Sequence, residues 1–256
     1  MDDPYVELSV KQFMELFLPG DGLSQEHLEK IGNFSKVPLD GREKDMYSPM
    51  KMMEVCELKY AIKITADHPE SSEDSSKPDL SMYRTDVGEN AWTITNGSGV
   101  HSAKAAWGWI IMPIEIKNKL RADPFEDTSQ LRASEDNDGR SSRAQLIKYV
   151  AEVQARQHRT SVFSLFIVKN KARLIRWDRI GAIVSKPFFY VRDTPSVEKD
   201  GCTNLLNYVY KIASASAQDQ GYDPTVIRLS EDDPLLLKLM KCGIIGAGAM
   251  SDGHRT

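Results

Sequence analysis

Hydrophobic residues recur with different periods along the chain, and each period predicts a different element. Helical spacing predicts helices at 5–18, from Glu43 to about Ile62, and at 142–157, 203–215 and 231–241. Alternating or continuous apolar runs predict strands at "PDLSMYR", "WGWIIMPIEIK", "SVFSLFIVK", "ARLIRWDR" and "GAIVS", with a tight turn centred on Asn170. A helix between strands favours an α/β fold with a mixed β-sheet flanked by helices.

One face of the helix predicted at 142–157 is apolar. Its residues recur every three or four positions: Ala144, Ile147, Val150, Ala151 and Ala155. Residues at this spacing lie on one side of an α-helix, so this face is predicted to pack against the sheet. The predicted N-cap is Ser141 or Ser142, because serine accepts a hydrogen bond from the first helical turn.

Polar segments connect these elements and divide the chain. A linker is predicted after Pro19-Gly20, to about Gly41, with a loop or weak hairpin at 85–106 and an acidic loop at 121–140. The predicted organisation has three parts: an N-terminal helix and linker at 1–40, an α/β core at 41–200, and a helical C-terminal extension at 201–256.

Composition adds a cellular context to this fold. Hydrophobic residues are 41% of the 256 residues and charged residues 27%, as in globular proteins. No run of eighteen apolar residues is present, and the acidic N-terminus lacks a secretory pattern. The three cysteines have no metal-motif spacing. We therefore expect an intracellular protein without a membrane partner; nucleus and cytoplasm both stay open, as does a homo-oligomer.

Charge is distributed unevenly along the chain. The net charge is −4, but residues 140–180 contain ten Lys or Arg and two acidic residues, which gives +8 there and −12 elsewhere. A local positive field is what phosphate binding requires. Two interpretations stay open: a phosphate-binding surface, or charges that only solvate helices and strands.

Candidate chemistry begins where two predicted strands carry acidic residues. Pro78 and Asp79 stand at the start of one strand, although strand interiors disfavour both residue types. Glu115 and Lys117 lie two residues apart in the next strand, so their side chains share one face. Asp79 and Glu115 are candidate ligands of Mg²⁺ or Mn²⁺, with the Ile116 carbonyl as a third, because such cations prefer oxygen ligands. Lys117 would orient or help deprotonate water and stabilise charge at phosphorus.

This pattern resembles the PD-(D/E)XK nuclease superfamily. Pro78-Asp79 matches the first motif and Glu115-Ile116-Lys117 the second. In exonuclease-like branches the following helix carries Gln-x-x-x-Tyr, and "QLIKY" supplies Gln145 and Tyr149. The resemblance implies a restriction-endonuclease-like core in which Asp79, Glu115, Lys117 and Gln145 are catalytic. Members often add an upstream glutamate; Glu54, Glu57 or neither fills that position.

The implied activity is metal-dependent hydrolysis of nucleic acid, with DNA favoured over RNA and exo- or endonucleolytic cleavage left open. Six residues in or near the basic segment are candidate contacts to the phosphate backbone: Arg143, Lys148, Tyr149, Arg156, His158 and Arg159. His158 can alternatively cap the preceding helix. The alternative function is a non-catalytic recognition or scaffold module with a nuclease-like fold.

A second resemblance covers about residues 40 to 230. The segments "KPDLSMY", "IEIK", "QLIKYVAEVQARQHRTSVFSLFI", "ARLIRWDRIGAIVS" and "GYDPTVIRL" resemble the region ahead of the kinase domain in fungal-type protein kinases. No glycine-rich nucleotide loop, VAIK-type lysine or HRD motif is present in the sequence. The resemblance implies that a kinase domain lies downstream in longer relatives, and that this chain is a fragment or a free-standing relative of their N-terminal module.

Overall fold

The computed structural model describes residues 5–54, 58–70, 76–86, 88–95, 101–127, 130–191, 201–226 and 233–242. The strands in these ranges are β1 Tyr5–Leu8, β2 Tyr60–Ile64, β3 Leu80–Arg84, β4 Thr93–Thr95, β5 His101–Ala103, β6 Met112–Lys117, β7 Phe125–Asp127, β8 Leu131–Ala133, β9 Val162–Val168, β10 Lys171–Trp177, β11 Ala182–Ser185 and β12 Phe188–Phe189. The α-helices are α1 Val10–Phe17, α2 Gln25–Ile31, α3 Tyr47–Met50, α4 Glu89–Trp92, α5 Asn137–Arg156, α6 Gly201–Ser214 and α7 Pro234–Lys241.

Eight of the described strands form one mixed sheet. The main order is β1-β11-β10-β9-β6-β3-β2, and β12 pairs with β10. β6 and β9 are parallel and α5 connects them, because a parallel pair requires a long crossover. β2, β3 and β6 pair antiparallel, as do β9 and β10 across the predicted turn at Asn170. The prediction of a mixed sheet within an α/β fold is confirmed.

Helices cover both faces of this sheet. Side chains along β9 alternate: Phe163 and Leu165 join a core with α1 and α6, whereas Val162 and Phe166 join a second core with α5. Both faces of β9 are therefore buried, which explains the continuous apolar run in its sequence. β6 lies beside β9, so its odd-numbered residues face the α5 side.

The prediction of one helix at 5–18 is wrong in its first part. Residues Tyr5–Leu8 form β1, which pairs parallel with β11, and α1 begins only at Val10. Ser9 separates the two elements, because its side chain accepts from the Gln12 N–H in a capping box. The predicted linker to Gly41 contains α2.

The prediction of a helix from Glu43 to Ile62 is also wrong at its C-terminal end. A 3₁₀-helix at Glu43–Met46, α3, and a second 3₁₀-helix at Lys51–Met53 form the helical part. Residues Tyr60–Ile64 form β2, which pairs with β3 along its whole length. Sheet pairing has overridden a local helical period here, a common outcome for short apolar runs.

The predicted position and face of α5 require correction. The helix begins at Asn137, and its N-cap is Asp136 rather than Ser141 or Ser142. Leu146, Tyr149, Val150 and Val153 form the buried face. The predicted apolar residues other than Val150 are exposed: Ala144, Ile147, Ala151 and Ala155. Two adjacent stripes both have helical spacing, and the one with the larger side chains packs on the sheet.

Substitutions on the two stripes of α5 test this assignment. Leu146→Ala should destabilise the protein by about 2–5 kcal/mol, because it leaves a cavity at a fully buried position. Ile147→Ala is the matched control, with a side chain that is 45% exposed, and should change stability by about 0.5 kcal/mol or less. Urea unfolding followed by circular dichroism measures both. A larger loss of stability for Ile147→Ala than for Leu146→Ala would show that the apolar face predicted from the sequence is the buried one.

The predicted loops contain short elements. Residues 85–106 include α4 and the β4–β5 hairpin, and residues 121–140 include the β7–β8 hairpin and the first turn of α5. The predicted helices at 203–215 and 231–241 correspond to α6 and α7. Leu205, Tyr208 and Ile212 of α6 are buried in the core on one face of the sheet. Among the described helices, none has the length and apolar character needed to cross a membrane.

Candidate functional site

Pro78 and Asp79 lie where the pairing of β3 with β6 stops. Leu80 pairs with Ile114, so extending the register by one residue places Asp79 opposite Glu115. Proline has no N–H to continue the ladder. The Ile116 N–H instead donates to Asp79 Oδ2 at 2.8 Å, and Thr65 Oγ1 donates to the Pro78 carbonyl at 2.7 Å. The two residues thus end a ladder and direct a carboxylate toward β6.

Glu115 and Lys117 share one face of β6, as their spacing predicts. Lys117 Nζ donates directly to Glu115 Oε1 in a close ion pair. Glu115 is only 1% exposed, and its Oε2 accepts from the Tyr149 hydroxyl of α5 at 3.0 Å. The same hydroxyl lies 2.8 Å from the Lys77 carbonyl oxygen, beside Pro78. Tyr149 therefore links the predicted acid-x-Lys motif to the chain that leads into β3.

Two residues of this site were missed in the sequence. The Tyr47 hydroxyl donates to Asp79 Oδ1 and lies 3.4 Å from Glu43 Oε1. That Glu43 oxygen is 3.7 Å from Lys117 Nζ. Glu43 and Tyr47 are four residues apart in the predicted helix, so the sequence alone indicates that their side chains share one face.

The upstream glutamates considered from the sequence lie elsewhere. Glu54 accepts a hydrogen bond from the Ile62 N–H at 3.0 Å, in the middle of β2. Glu57 lies outside the described residues. Glu43, which precedes both of them in the chain, lies beside Lys117 instead.

These side chains line an open cleft of about 530 Å³. Five cationic residues contribute to its lining: Arg42, Lys44, Lys77, Lys117 and Lys148. Four acidic residues contribute as well: Glu43, Asp67, Asp79 and Glu115. Gln145 also lines the cleft, one helical turn before Tyr149, so both residues of the predicted Gln-x-x-x-Tyr pair line the cleft that contains the acidic pair.

Burial controls the charge of the acidic pair. It raises the pKa of both Asp79 and Glu115, and for Glu115 the nearby Asp79 carboxylate raises it further. Lys117 opposes both shifts. Burial by itself lowers the pKa of the Lys117 ammonium, but Glu115 and Asp79 outweigh it and the net pKa is raised. Burial and the adjacent carboxylates also raise the pKa of the Tyr47 and Tyr149 hydroxyls, so both remain hydrogen-bond donors.

Several predicted phosphate contacts have other partners in the fold. Arg159 is 4% exposed, donates to the Gln220 carbonyl and stacks 3.6 Å from the Tyr222 ring centre. Arg156 pairs with Glu152 and Glu70, and Arg143 donates to the carbonyls of Pro124 and Ser134. A phosphate contact by Arg159 would require this packing to open, so that prediction is not supported. His158 is exposed beyond the end of α5 and does not line the cleft.

The basic segment at 140–180 is therefore not one continuous surface. Arg173 of β10 is fully buried. Its guanidinium forms ion pairs with the carboxylates of Asp123, at 2.9 Å, and of Asp127 in β7, at 2.8 Å, and so connects β7 to β10. Arg140 and Arg176 pair with Glu135 and Asp178. Of the six predicted contacts, Lys148 and Tyr149 line the cleft, where Tyr149 is buried and only the Lys148 side chain is exposed.

The oxygen atoms of the site match part of the ligand set that a hard divalent cation prefers. In the described ranges, no group of three or more His, Cys, Asp or Glu side chains is arranged to hold a metal ion. Asp79 and Glu115 nevertheless converge, and Mg²⁺ commonly uses one or two carboxylates with several waters. Like charges that converge in a buried site favour a bound cation or a proton. The role predicted for the Ile116 carbonyl stays a prediction; its N–H is already held by Asp79.

Sequence comparison assigns the chain to a family. Residues 102–241, more than half of the chain, match the family described as fungal protein kinase. The matched region includes Glu115, Lys117, Gln145 and Tyr149, and begins after Asp79. No curated protein and no solved structure matches the chain. The chain belongs to the fungal protein kinase family.

Proposed function

We propose that this chain is a Mg²⁺- or Mn²⁺-dependent nuclease that hydrolyses phosphodiester bonds, with DNA as its substrate. One observation carries the proposal: two buried carboxylates, Asp79 and Glu115, converge in an open cleft beside the ammonium of Lys117. The shared position of the predicted motif residues supports it as well. The strands β3 and β6 and the helix α5 contribute Asp79, Glu115, Lys117, Gln145 and Tyr149 to the same cleft.

The acidic residues would hold the metal. Asp79 and Glu115 are the proposed ligands. Glu43 Oε1, next to Lys117, would be an additional oxygen ligand. A bound Mg²⁺ or Mn²⁺ would offset the charge of the phosphodiester and make a water more acidic. Tyr47 and Tyr149 fix the orientation of the two carboxylates by donating one hydrogen bond to each.

Lys117 and Gln145 would act on the phosphate and on the attacking water. Lys117 is held between Glu115 and Glu43, so its ammonium is positioned without rearrangement. A preorganised cation of this kind stabilises the negative charge that develops at phosphorus. The Gln145 amide faces the same cleft and offers both a donor and an acceptor to a water or a phosphate oxygen.

The cations of the cleft support a nucleic acid as the substrate. Lys44, Lys77 and Lys148 line it together with Lys117. Lysines that contact phosphates bind the backbone without reading the base sequence. We therefore expect backbone recognition with little sequence preference.

The alternative is a non-catalytic scaffold module ahead of a kinase domain, and one observation favours it. Each of the four carboxylate oxygens of Asp79 and Glu115 already has a hydrogen-bonding partner within the protein: the Tyr47 hydroxyl, the Ile116 N–H, the Lys117 ammonium and the Tyr149 hydroxyl. Such a network is satisfied without a ligand. Membership of a family described by its kinases is compatible with this alternative.

A direct assay separates the two functions. The purified chain is incubated with plasmid and with single-stranded DNA, in Mg²⁺, in Mn²⁺ and in EDTA. The nuclease should cleave at least one substrate with a metal and none with EDTA. Inertness toward both DNA forms and the corresponding RNA, with either metal, would favour the scaffold.

Metal binding has its own test, which does not depend on cleavage. Mn²⁺ at about ten times its Kd should raise the Tm by about 3–6 °C, because it binds only the folded chain. Asp79→Asn should abolish most of this rise, since the amide removes one anionic ligand with little change in volume. Asp67→Asn is the matched control, because Asp67 lies exposed on the rim of the same cleft. An equal rise in wild type and Asp79→Asn would remove Asp79 from the metal site.

A further inference from the structure

A second cleft adjoins the first at the end of β6. It has a volume of about 230 Å³, and Asn118, Lys119 and Ala122 form one of its sides. Glu43, Lys117 and Gln145 line both clefts. The proposed catalytic lysine therefore stands at a junction between two open spaces and not at the closed end of one.

The helix α5 forms a common wall for the two clefts. Asp138, Ser141, Ser142 and Gln145 line the second cleft, and Gln145, Lys148 and Tyr149 line the first. These positions recur every three or four residues, so they lie along one face of the helix. From Asp138 to Tyr149 this face is roughly 16 Å long at 1.5 Å per residue.

Cations lie on both sides of the junction. Lys77 and Lys148 line the first cleft, and Lys119 lines the second. The Asp138 carboxylate lies 2.6 Å from the Arg121 guanidinium, which offsets its charge. A polyanion in the combined groove thus meets a lysine on either side of Lys117.

We propose that the two clefts together hold one nucleic acid strand that continues past the scissile phosphate in both directions, so that the chain cleaves internal phosphodiester bonds and needs no strand end. This inference rests on the proposed nuclease function. Water adds to phosphorus, one P–O bond to a sugar oxygen breaks, and the two new ends carry a phosphate and a hydroxyl. Lys119 contacts the phosphate on the opposite side of the junction from Lys77 and Lys148.

Circular single-stranded DNA tests the inference, because it has no ends. With Mn²⁺ the circle should first become a full-length linear strand and then shorter pieces, at a rate within a few-fold of a linear strand of the same sequence. Degradation of the linear strand from its ends with an intact circle would overturn this inference and leave the nuclease function standing. If neither the circular nor the linear strand is cleaved, both this inference and the proposed nuclease function are overturned.

A binding measurement gives a second readout that needs no cleavage. Fluorescence anisotropy of a labelled single strand in EDTA follows the affinity as salt increases. Lys119→Ala should weaken binding and reduce the slope of log affinity against log salt by about 0.7, the value for one phosphate contact on a single strand. Lys11→Ala is the matched control, because Lys11 is exposed on α1 and lines neither cleft. Equal slopes for the two variants would exclude the second cleft from the path of the strand and overturn the inference.

Discussion

Replacement of Lys117 by alanine is expected to lower the rate of phosphodiester cleavage by about 10²–10³-fold, the usual cost of removing one preorganised electrostatic group. The lysine lies on the same strand face as Glu115, and its ammonium is within 3.7 Å of Glu43. Both contacts of the Lys117 ammonium are to carboxylates, and Lys117 is not itself a proposed ligand of the metal. Cleavage should therefore be lost while most metal binding is kept.

Controls for this variant address the fold and the metal. Removing the ammonium leaves the buried Glu115 carboxylate without its cation, which is destabilising unless a metal or a proton takes its place. Circular dichroism and the Mn²⁺-dependent shift in Tm should confirm a folded, metal-binding Lys117→Ala protein, whereas Glu115→Ala should lose both the shift and cleavage. If wild type and Lys117→Ala cleave at the same rate, the proposed role of the lysine is wrong even where the fold and the metal site are right.

The local part of the site was predictable from the sequence. Glu115 and Lys117 are two residues apart in a strand, and the period of two alone places them on one face. Gln145 and Tyr149 are four residues apart in a helix, which places them on one side in the same way. Asp79 required one further assumption, that its strand pairs with β6, and the structure contains that pairing.

Contacts distant in sequence were not predictable in this way. Tyr47 reaches Asp79 across 32 residues, and Arg173 reaches Asp123 across 50. A count of charges cannot show that an arginine is buried between two aspartates, so the sequence alone does not distinguish a phosphate-binding surface at 140–180 from separate charges with other roles. The same limit applies to α5, where two adjacent apolar stripes have the same spacing and only the packed structure distinguishes Leu146 from Ile147.

The largest expected effect on stability is a loss with rising pH in the metal-free protein. Burial, followed by the charge of Asp79, raises the pKa of Glu115 to about 8 in the folded protein, above the ordinary value of about 4.3 in the unfolded chain. Between these values the folded protein binds more protons than the unfolded chain. The stabilisation is thus fully present below the unfolded pKa and is lost as pH rises toward about 8. One proton contributes a slope of at most about 1.4 kcal/mol per pH unit, and the ion pair with Lys117 opposes the shift. The pKa of Asp79 is raised to about 6, mainly by burial, so Asp79 adds to the slope below that pH.

Glu115→Gln removes the ionisable group and isolates this effect. In EDTA the variant should show a much flatter dependence of the free energy of unfolding on pH, and it should be more stable than wild type near pH 8. Glu15→Gln is the matched control, because its side chain is 65% exposed on α1 and should leave the wild-type slope unchanged. Urea unfolding at pH 5, 6.5 and 8 measures the stability of all three proteins.

Saturating Mn²⁺ should largely restore the stability of wild type at pH 8, since the cation takes the place of the proton between Asp79 and Glu115. It should raise the stability of Glu115→Gln much less. A wild-type stability that is constant or rising over this range would show that Glu115 is ionised in the folded protein with Lys117 as its sufficient partner, the arrangement expected of a scaffold that holds no metal.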